Sequence, residues 1–269
     1  MAFGESANFL AYAFAPATVV TPLGALSIIV SSLMGAHFLN ERLNLHGKLG
    51  AILTILGSTV MVMAAPKEPE IGTLVEIQNQ ACKPVFLLYA TVAVAISLYL
   101  IFVVEPTHGR TNIFIYILIC SIIGGFSVSC VKGVGTMIRQ FLSTDPEFHI
   151  NIFTEPFAYV LVIALVVSIT TQLNYLNRSL DIFDASLVTP IYYVVFTTSV
   201  LTCSAILYEE WAKVDAGSDV VVLFAGFGTI VVGTFLLHSF KSFDITFTEL
   251  QERMHAKDGA IDYHRHEFL

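Results

Sequence analysis

Five stretches of 21 to 24 residues, Pro84–Val104, Thr111–Val131, Pro156–Asn177, Ala185–Tyr208 and Val220–Phe240, contain no Asp, Glu, Lys or Arg. A bilayer core takes about 20 apolar residues per helix. In hydrocarbon, each backbone N–H and C=O must also find its partner inside the segment. Each stretch therefore predicts a membrane-spanning helix. Leu49–Pro66 is shorter and is extended by Leu45–Lys48. Ser6–Asn40 is uncharged but broken by Pro16 and Pro22. It predicts a short segment over about Ala2–Ala15, then a full helix over about Ala17–Leu39, since proline is tolerated at a helix start. The first segment is too short to cross. It is not a signal peptide, because it lacks a basic leader and carries Glu5. The fold class is all-α: a polytopic membrane protein with about seven full spans plus a partial first helix.

Composition agrees and narrows the function classes. Of 269 residues, 55% are apolar and 13% charged, against about 45–50% and about 25% in soluble domains. Disorder, a disulfide scaffold and a basic nucleic-acid binder are excluded, and the bilayer is the expected partner. Cys82, Cys120, Cys130 and Cys203 show no C-x-x-C spacing and read as small apolar residues. The linkers Lys67–Lys83 and Ser143–Glu155 are the longest, and both are expected to be polar solvated loops. The sequence divides into a membrane domain over 1–240 and a polar tail over 241–269. His264 and His266 in that tail could bind a metal, but a solvated tail is the simpler reading. No nucleophile–base pair, phosphate loop or zinc spacing is present, so the chain is expected to be no enzyme and to need no cofactor.

An internal repeat organises the spans. Pro16-Ala-Thr-Val-Val-Thr-Pro22 matches Asp184-Ala-Ser-Leu-Val-Thr-Pro190 at an offset of 168 residues, which also carries Glu41 onto Glu209. With small slips, Gly57-Ser-Thr59 falls near Gly226-Phe-Gly-Thr229, and Asn8-Phe-Leu near Asn174-Tyr-Leu. Five predicted helices separate the two copies, and an odd number inverts the second in the membrane. Inverted repeats with a site between them are a common transporter architecture. The repeats are a remnant over 1–104 and a fuller copy over 111–240. The second copy has more helix before Asn174 than the first has before Asn8. The sequence therefore predicts that about one and a half helices precede this start in a full form of about nine spans. Basic residues in the loops tie between the two faces, and those in the tail place it in the cytoplasm.

The hairpin Phe38-Leu-Asn-Glu-Arg-Leu-Asn-Leu-His-Gly-Lys-Leu-Gly-Ala-Ile-Leu-Thr-Ile-Leu-Gly57 resembles the signature of the drug/metabolite transporter superfamily. Ala11-Tyr-Ala-Phe-Ala-Pro-Ala-Thr18, Thr21-Pro-Leu-Gly-Ala-Leu26, Leu173-Asn-Tyr-Leu-Asn-Arg-Ser-Leu-Asp-Ile-Phe-Asp184 and Val188-Thr-Pro-Ile-Tyr-Tyr193 are closer still. They resemble the NIPA family (non-imprinted in Prader-Willi/Angelman) from about Glu5 to Lys241. The resemblance implies Mg²⁺ as transported substrate and plasma and early endosomal membranes as the location.

Magnesium favours hard oxygen ligands and keeps several waters, so a releasing site suits few carboxylates and several neutral oxygens. Glu5 and Asn8 share a helix face at i, i+3. Asn174 is the repeat counterpart of Asn8, Thr171 that of Glu5, and Gln172 turns to another face. The candidate ligands of the transported Mg²⁺ are Glu5, Asn8 and Asn174. Gln172, Tyr192 and the Thr21-Pro22 and Thr189-Pro190 pairs complete the expected binding residues. Each proline frees a carbonyl, but each also reads as a simple kink or first-turn proline. Glu5 alternatively lies exposed near the start, and the Asn side chains alternatively bond between helices. Lys132 either snorkels to the interface or pairs with Glu5 as a gate. Glu41 and Glu209 read as structural, and Asp184 as a helix cap. An organic metabolite or anion carrier, with Lys132 holding the anion, stays open beside the cation reading. So does a non-transporting membrane trafficking or partner protein.

Overall fold

Apolar length translates into helix wherever a computed structural model of the chain describes it, over residues 11, 15, 17–38, 45–64, 73–142, 155–208 and 218–239. The helices are α1 (Ala17–Phe38), α2 (Leu45–Ala64), α3 (Leu74–Ala81), α4 (Pro84–Tyr99), α5 (Glu105–His108), α6 (Ile113–Leu142), α7 (Pro156–Ile182), α8 (Ala185–Tyr208) and α9 (Ser218–Ser239). A π-helical turn, Leu100–Val104, joins α4 to α5 into one 25-residue span. Among the described residues, that span and α2, α6, α7 and α8 are long and apolar enough to cross a membrane. Helices α1 and α9, at 22 residues each, reach about 33 Å at 1.5 Å per residue and match the hydrocarbon thickness. The protein is an all-α polytopic membrane protein. The segment over about Ala2–Ala15 and the tail lie almost wholly outside the described residues.

One linker departs from expectation. Within Lys67–Lys83, the residues Leu74–Ala81 form α3 rather than a solvated loop. Thr73 caps it by accepting from the Glu76 N–H, and Glu76 reaches back to the Thr73 N–H. This reciprocal capping box satisfies two donors that a helix start otherwise leaves open. Leu74 and Ile77 turn inward and are buried, while Gln140 near the end of α6 accepts from the Leu74 N–H at 2.7 Å.

The prolines of the repeat do not interrupt their helices. Pro22 and Pro190 each stand sixth, in α1 and α8, and both are buried. The carbonyls four residues earlier, on Thr18 and Ser186, therefore lack the usual N–H partner. The Pro22 carbonyl itself accepts a second bond from Ser58 Oγ on α2 at 3.2 Å.

Two packing arrangements set the bundle. Repeat-related helices α2 and α9 lie against each other and run antiparallel, because Gly50 meets Gly233 while Gly57 meets Gly226. Both glycine pairs are seven residues apart, which keeps them on one stripe of their helices. Around the other centre, α6 is the most buried span. Antiparallel α7 packs against it through Gly133 and Leu161, and parallel α8 through Gly125 and Ser199. The chain reversals define two faces. The Lys83 face carries α3, the starts of α4 and α7 and the ends of α6 and α8. The Glu105 face carries α5 and the 183–184 connection.

Candidate cation site

Where α6, α7 and α8 meet, small residues leave room for a polar side chain between apolar surfaces. A Cβ on Gly124 would stand 2.7 Å from the Phe196 ring and 3.2 Å from the Gln172 amide carbon. Glycine at 124 thus lets the Gln172 amide lie against α6. The amide accepts from Ser127 Oγ at 2.7 Å and donates to the Tyr192 hydroxyl at 3.1 Å. Each of three helices gives one group. Tyr192 is steadied by Phe196, with ring centroids 5.2 Å apart.

Gln172 and Tyr192 are separate candidates in the sequence, and in the structure the Gln172 amide donates to the Tyr192 hydroxyl. The structure does not bring Asn174 to them. Two residues along α7, Asn174 is turned about 200° away and lies exposed on the outer side. Thr171 also leaves the cluster and gives its hydroxyl to the Val167 carbonyl at 2.8 Å. Thr21 is buried at 2% exposure on α1, while Thr189 on α8 is half-buried. Glu5 and Asn8 lie outside the described residues.

Lys132 is half-buried, with Nζ 4.1 Å from the centre of the Tyr208 ring. It follows the start of α6 by 19 residues, about 29 Å, close to the hydrocarbon thickness. Both partners are amphipathic, and Tyr208 is the last residue of α8. Tyr208 is fully buried, at 1% exposure, so Lys132 turns its ammonium onto an inward-facing ring near the Lys83 face. Asp184 precedes α8, where its carbonyl accepts from the Leu187 and Val188 N–H groups at 2.9 and 3.0 Å.

Three polar groups were not singled out by the sequence. Ser127 reads there as one of several hydroxyls on an apolar helix. Glu105 and Arg178 meet at the Glu105 face at 3.0 Å, and Tyr116 donates to the same Glu105 oxygen at 3.4 Å. Their signal was available in the pattern: each stands at the end of an uncharged run, and the topology puts both ends on one face. Below this pair an apolar cleft of about 570 Å³ separates α4 from α7, from Phe86 and Phe157 to Ile101 and Thr171. The Ser97 and Thr171 hydroxyls on its wall bond to carbonyls of their own helices. Among the described residues no group of three or more His, Cys, Asp or Glu side chains stands ready to hold a metal.

The sequence profile described as Magnesium transporter NIPA matches residues 1–243. The chain belongs to the NIPA family. Magnesium transporter NIPA3 of Homo sapiens is 53% identical over 261 residues, covering 97% of this NIPA chain and 62% of the relative. NIPA3 of Pongo abelii is 54% identical over the same shares. Probable magnesium transporter NIPA4 of Arabidopsis thaliana is 42% identical over 242 residues, 90% of this chain and 68% of the relative. This NIPA chain thus spans 62% of the length of the NIPA3 proteins it matches. No solved structure is significantly similar to it. The described residues offer a cation an amide oxygen and two hydroxyls, hard but neutral donors of the kind that contact a hydrated ion rather than strip it.

Proposed function

We propose that this chain is the membrane domain of a magnesium ion carrier, working by alternating access between repeat one over 1–104 and repeat two over 111–240. The identity to proteins named magnesium transporters carries the reading. The mutual packing of repeat-related α2 and α9 through paired glycines supports the repeat division, since equivalent helices of an inverted pair meet in this way at their common axis. Mg²⁺ passes as substrate, still partly hydrated, and no resident cofactor takes part.

The Gln172 amide, the Ser127 hydroxyl and the Tyr192 hydroxyl touch the water shell of the ion, with Thr21 and Thr189 at the two Thr-Pro turns. Glu5 and Asn8 add the charge and a further amide from repeat one. Asn174 lies exposed on the outer side of α7 and stands apart from this set. Neutral donors hold the ion weakly enough to let it leave. The tail is cytoplasmic, so the Glu105 face is too, and the protein works in plasma and early endosomal membranes.

Mg²⁺ uptake into proteoliposomes tests the reading on three proteins: this chain, a form extended to the length of its relatives, and that form with Glu5→Ala. Uptake by the extended form, lost on Glu5→Ala with folding intact, supports it. Failure of the extended form to pass Mg²⁺ under any imposed gradient overturns it. Movement of small organic anions by that form would then put the wider superfamily's chemistry in its place.

A further inference from the structure

Toward the Glu105 face the Gln172 cluster is covered by a buried layer that contains Tyr116 and Tyr175 with Ile115 and Ile119, and Tyr192 packs against this layer. The rings of Tyr116 and Tyr175 lie 6.3 Å apart. On top of this layer stands the ion pair of Glu105 with Arg178. The Tyr116 hydroxyl donates to Glu105, and the Arg178 guanidinium stacks over Tyr175 at 5.6 Å. Glu105 is only 18% exposed, and Arg178 49%. Gly109 makes the stack possible, because a Cβ there would lie 2.6 Å from the Glu105 carbonyl and 2.8 Å from the Tyr116 hydroxyl.

The placement of Glu105 depends on the π-helical turn before it. A π-turn inserts one residue into the helix and rotates the succeeding turn by about 100°. Without it, position 105 would be rotated by about 100° from its present bearing on Arg178. Below this level α4 and α7 are parted by the apolar cleft, so the ion pair is the polar strut between them. We infer that Glu105 and Arg178 are the gate of the carrier on this face, and that a divalent cation releases it by competing with Arg178 for the Glu105 carboxylate. The inference rests on the proposed cation transport for its ligand. Release frees Tyr116 and Tyr175 together, because one carboxylate oxygen holds both Arg178 and Tyr116. The Gln172 cluster then opens to the Glu105 face.

The test uses the full chain in lipid nanodiscs with its four native cysteines replaced by alanine. Spin labels sit at Thr107→Cys and Leu180→Cys, exposed positions two residues from each partner. Magnesium chloride should lengthen the label-to-label distance relative to sodium chloride of equal ionic strength. Glu105→Gln should lengthen it without magnesium and remove the magnesium response. The double exchange Glu105→Arg with Arg178→Glu should restore the short distance, which also shows that the variants fold. A distance that responds no more to magnesium than to sodium, or that Glu105→Gln leaves unchanged, overturns the gate. Uptake of Mg²⁺ into proteoliposomes is read in parallel on the form extended to the length of its relatives. Flux without a distance change sinks the gate alone, whereas a distance change in a protein without flux sinks the carrier reading alone.

Discussion

Adding one methyl group to the glycine contact between α2 and α9 should destabilise the bundle, and the effect should depend sharply on which glycine receives it. A Cβ on Gly50 would stand 2.6 Å from the Gly233 carbonyl oxygen and 2.7 Å from the Leu237 amide nitrogen. One on Gly57 would stand 2.8 Å from both the Gly226 oxygen and the Ile230 nitrogen. These are backbone atoms that cannot rotate aside, so the helices must part by close to an ångström. A gap of about 0.5–1 Å already forfeits a quarter to a half of each dispersion contact, and overpacking of this kind costs about 1–3 kcal/mol. About 2 kcal/mol lowers the folded-to-unfolded ratio roughly 30-fold. At Gly24 and Gly228 an added Cβ meets nothing within 4 Å, so alanine there should be neutral or gain up to about 1 kcal/mol of helix propensity. Gly226, whose nearest neighbour would be 3.0 Å away, should fall between. Reversible unfolding in mixed micelles of denaturing and mild detergent measures the series. Should Gly50→Ala prove as harmless as Gly228→Ala, the backbone-to-backbone packing of α2 on α9 is wrong.

Gln172→Leu should cost about 1–2 kcal/mol in the same unfolding assay, from two interhelical hydrogen bonds worth about 0.6 kcal/mol on average in bilayers. It should lower Mg²⁺ flux in the extended form by more than tenfold; unchanged flux removes the residue from the transport path. Thr73→Ala should cost α3 about 1 kcal/mol through loss of its cap and raise amide exchange over 74–81 about fivefold, leaving exchange in the spans unchanged. Cys82 is exposed at the Lys83 face while Cys120 and Cys203 are buried. With the tail in the cytoplasm, a membrane-impermeant maleimide should label Cys82 from outside intact cells and spare the other two. Labelling of Cys82 only after permeabilisation would invert the topology.

The spans were legible because apolar length is a strong constraint in a bilayer. Ala185–Tyr208 agrees at both ends, and α1 starts at the Ala17 expected and is helical through Phe38, the last described residue there. Orientation about each helix axis was not legible, because lipid and protein interior are equally apolar. In α7 Thr171 and Asn174 share one side and Gln172 points to another, and no hydrophobic face distinguishes inward from outward. Repeat position groups Asn174 with Thr171 and sets Gln172 on another face, and it is Gln172 that meets α6 and α8. The α3 helix was hidden by the polarity of its linker, yet Thr73-x-x-Glu76 carries a capping box that charge counting passes over. The π-turn at Leu100–Val104 has no sequence signature in an unbroken apolar run, and with it went the aim of Glu105. The ends of the uncharged runs Pro84–Val104 and Pro156–Asn177 would have placed Glu105 and Arg178 on one face, but neither stands among the sequence candidates.

Helix α6 has 30 residues and a length of about 45 Å, against a hydrocarbon core of about 30 Å. Its last ten residues begin just past Lys132 and bear Gln140, to which α3 is tied. The excess of about 15 Å is taken up by tilt or by turns that run past the hydrocarbon, and the balance between the two shifts with bilayer thickness. The α3 helix, bonded to Gln140, moves with that end of α6.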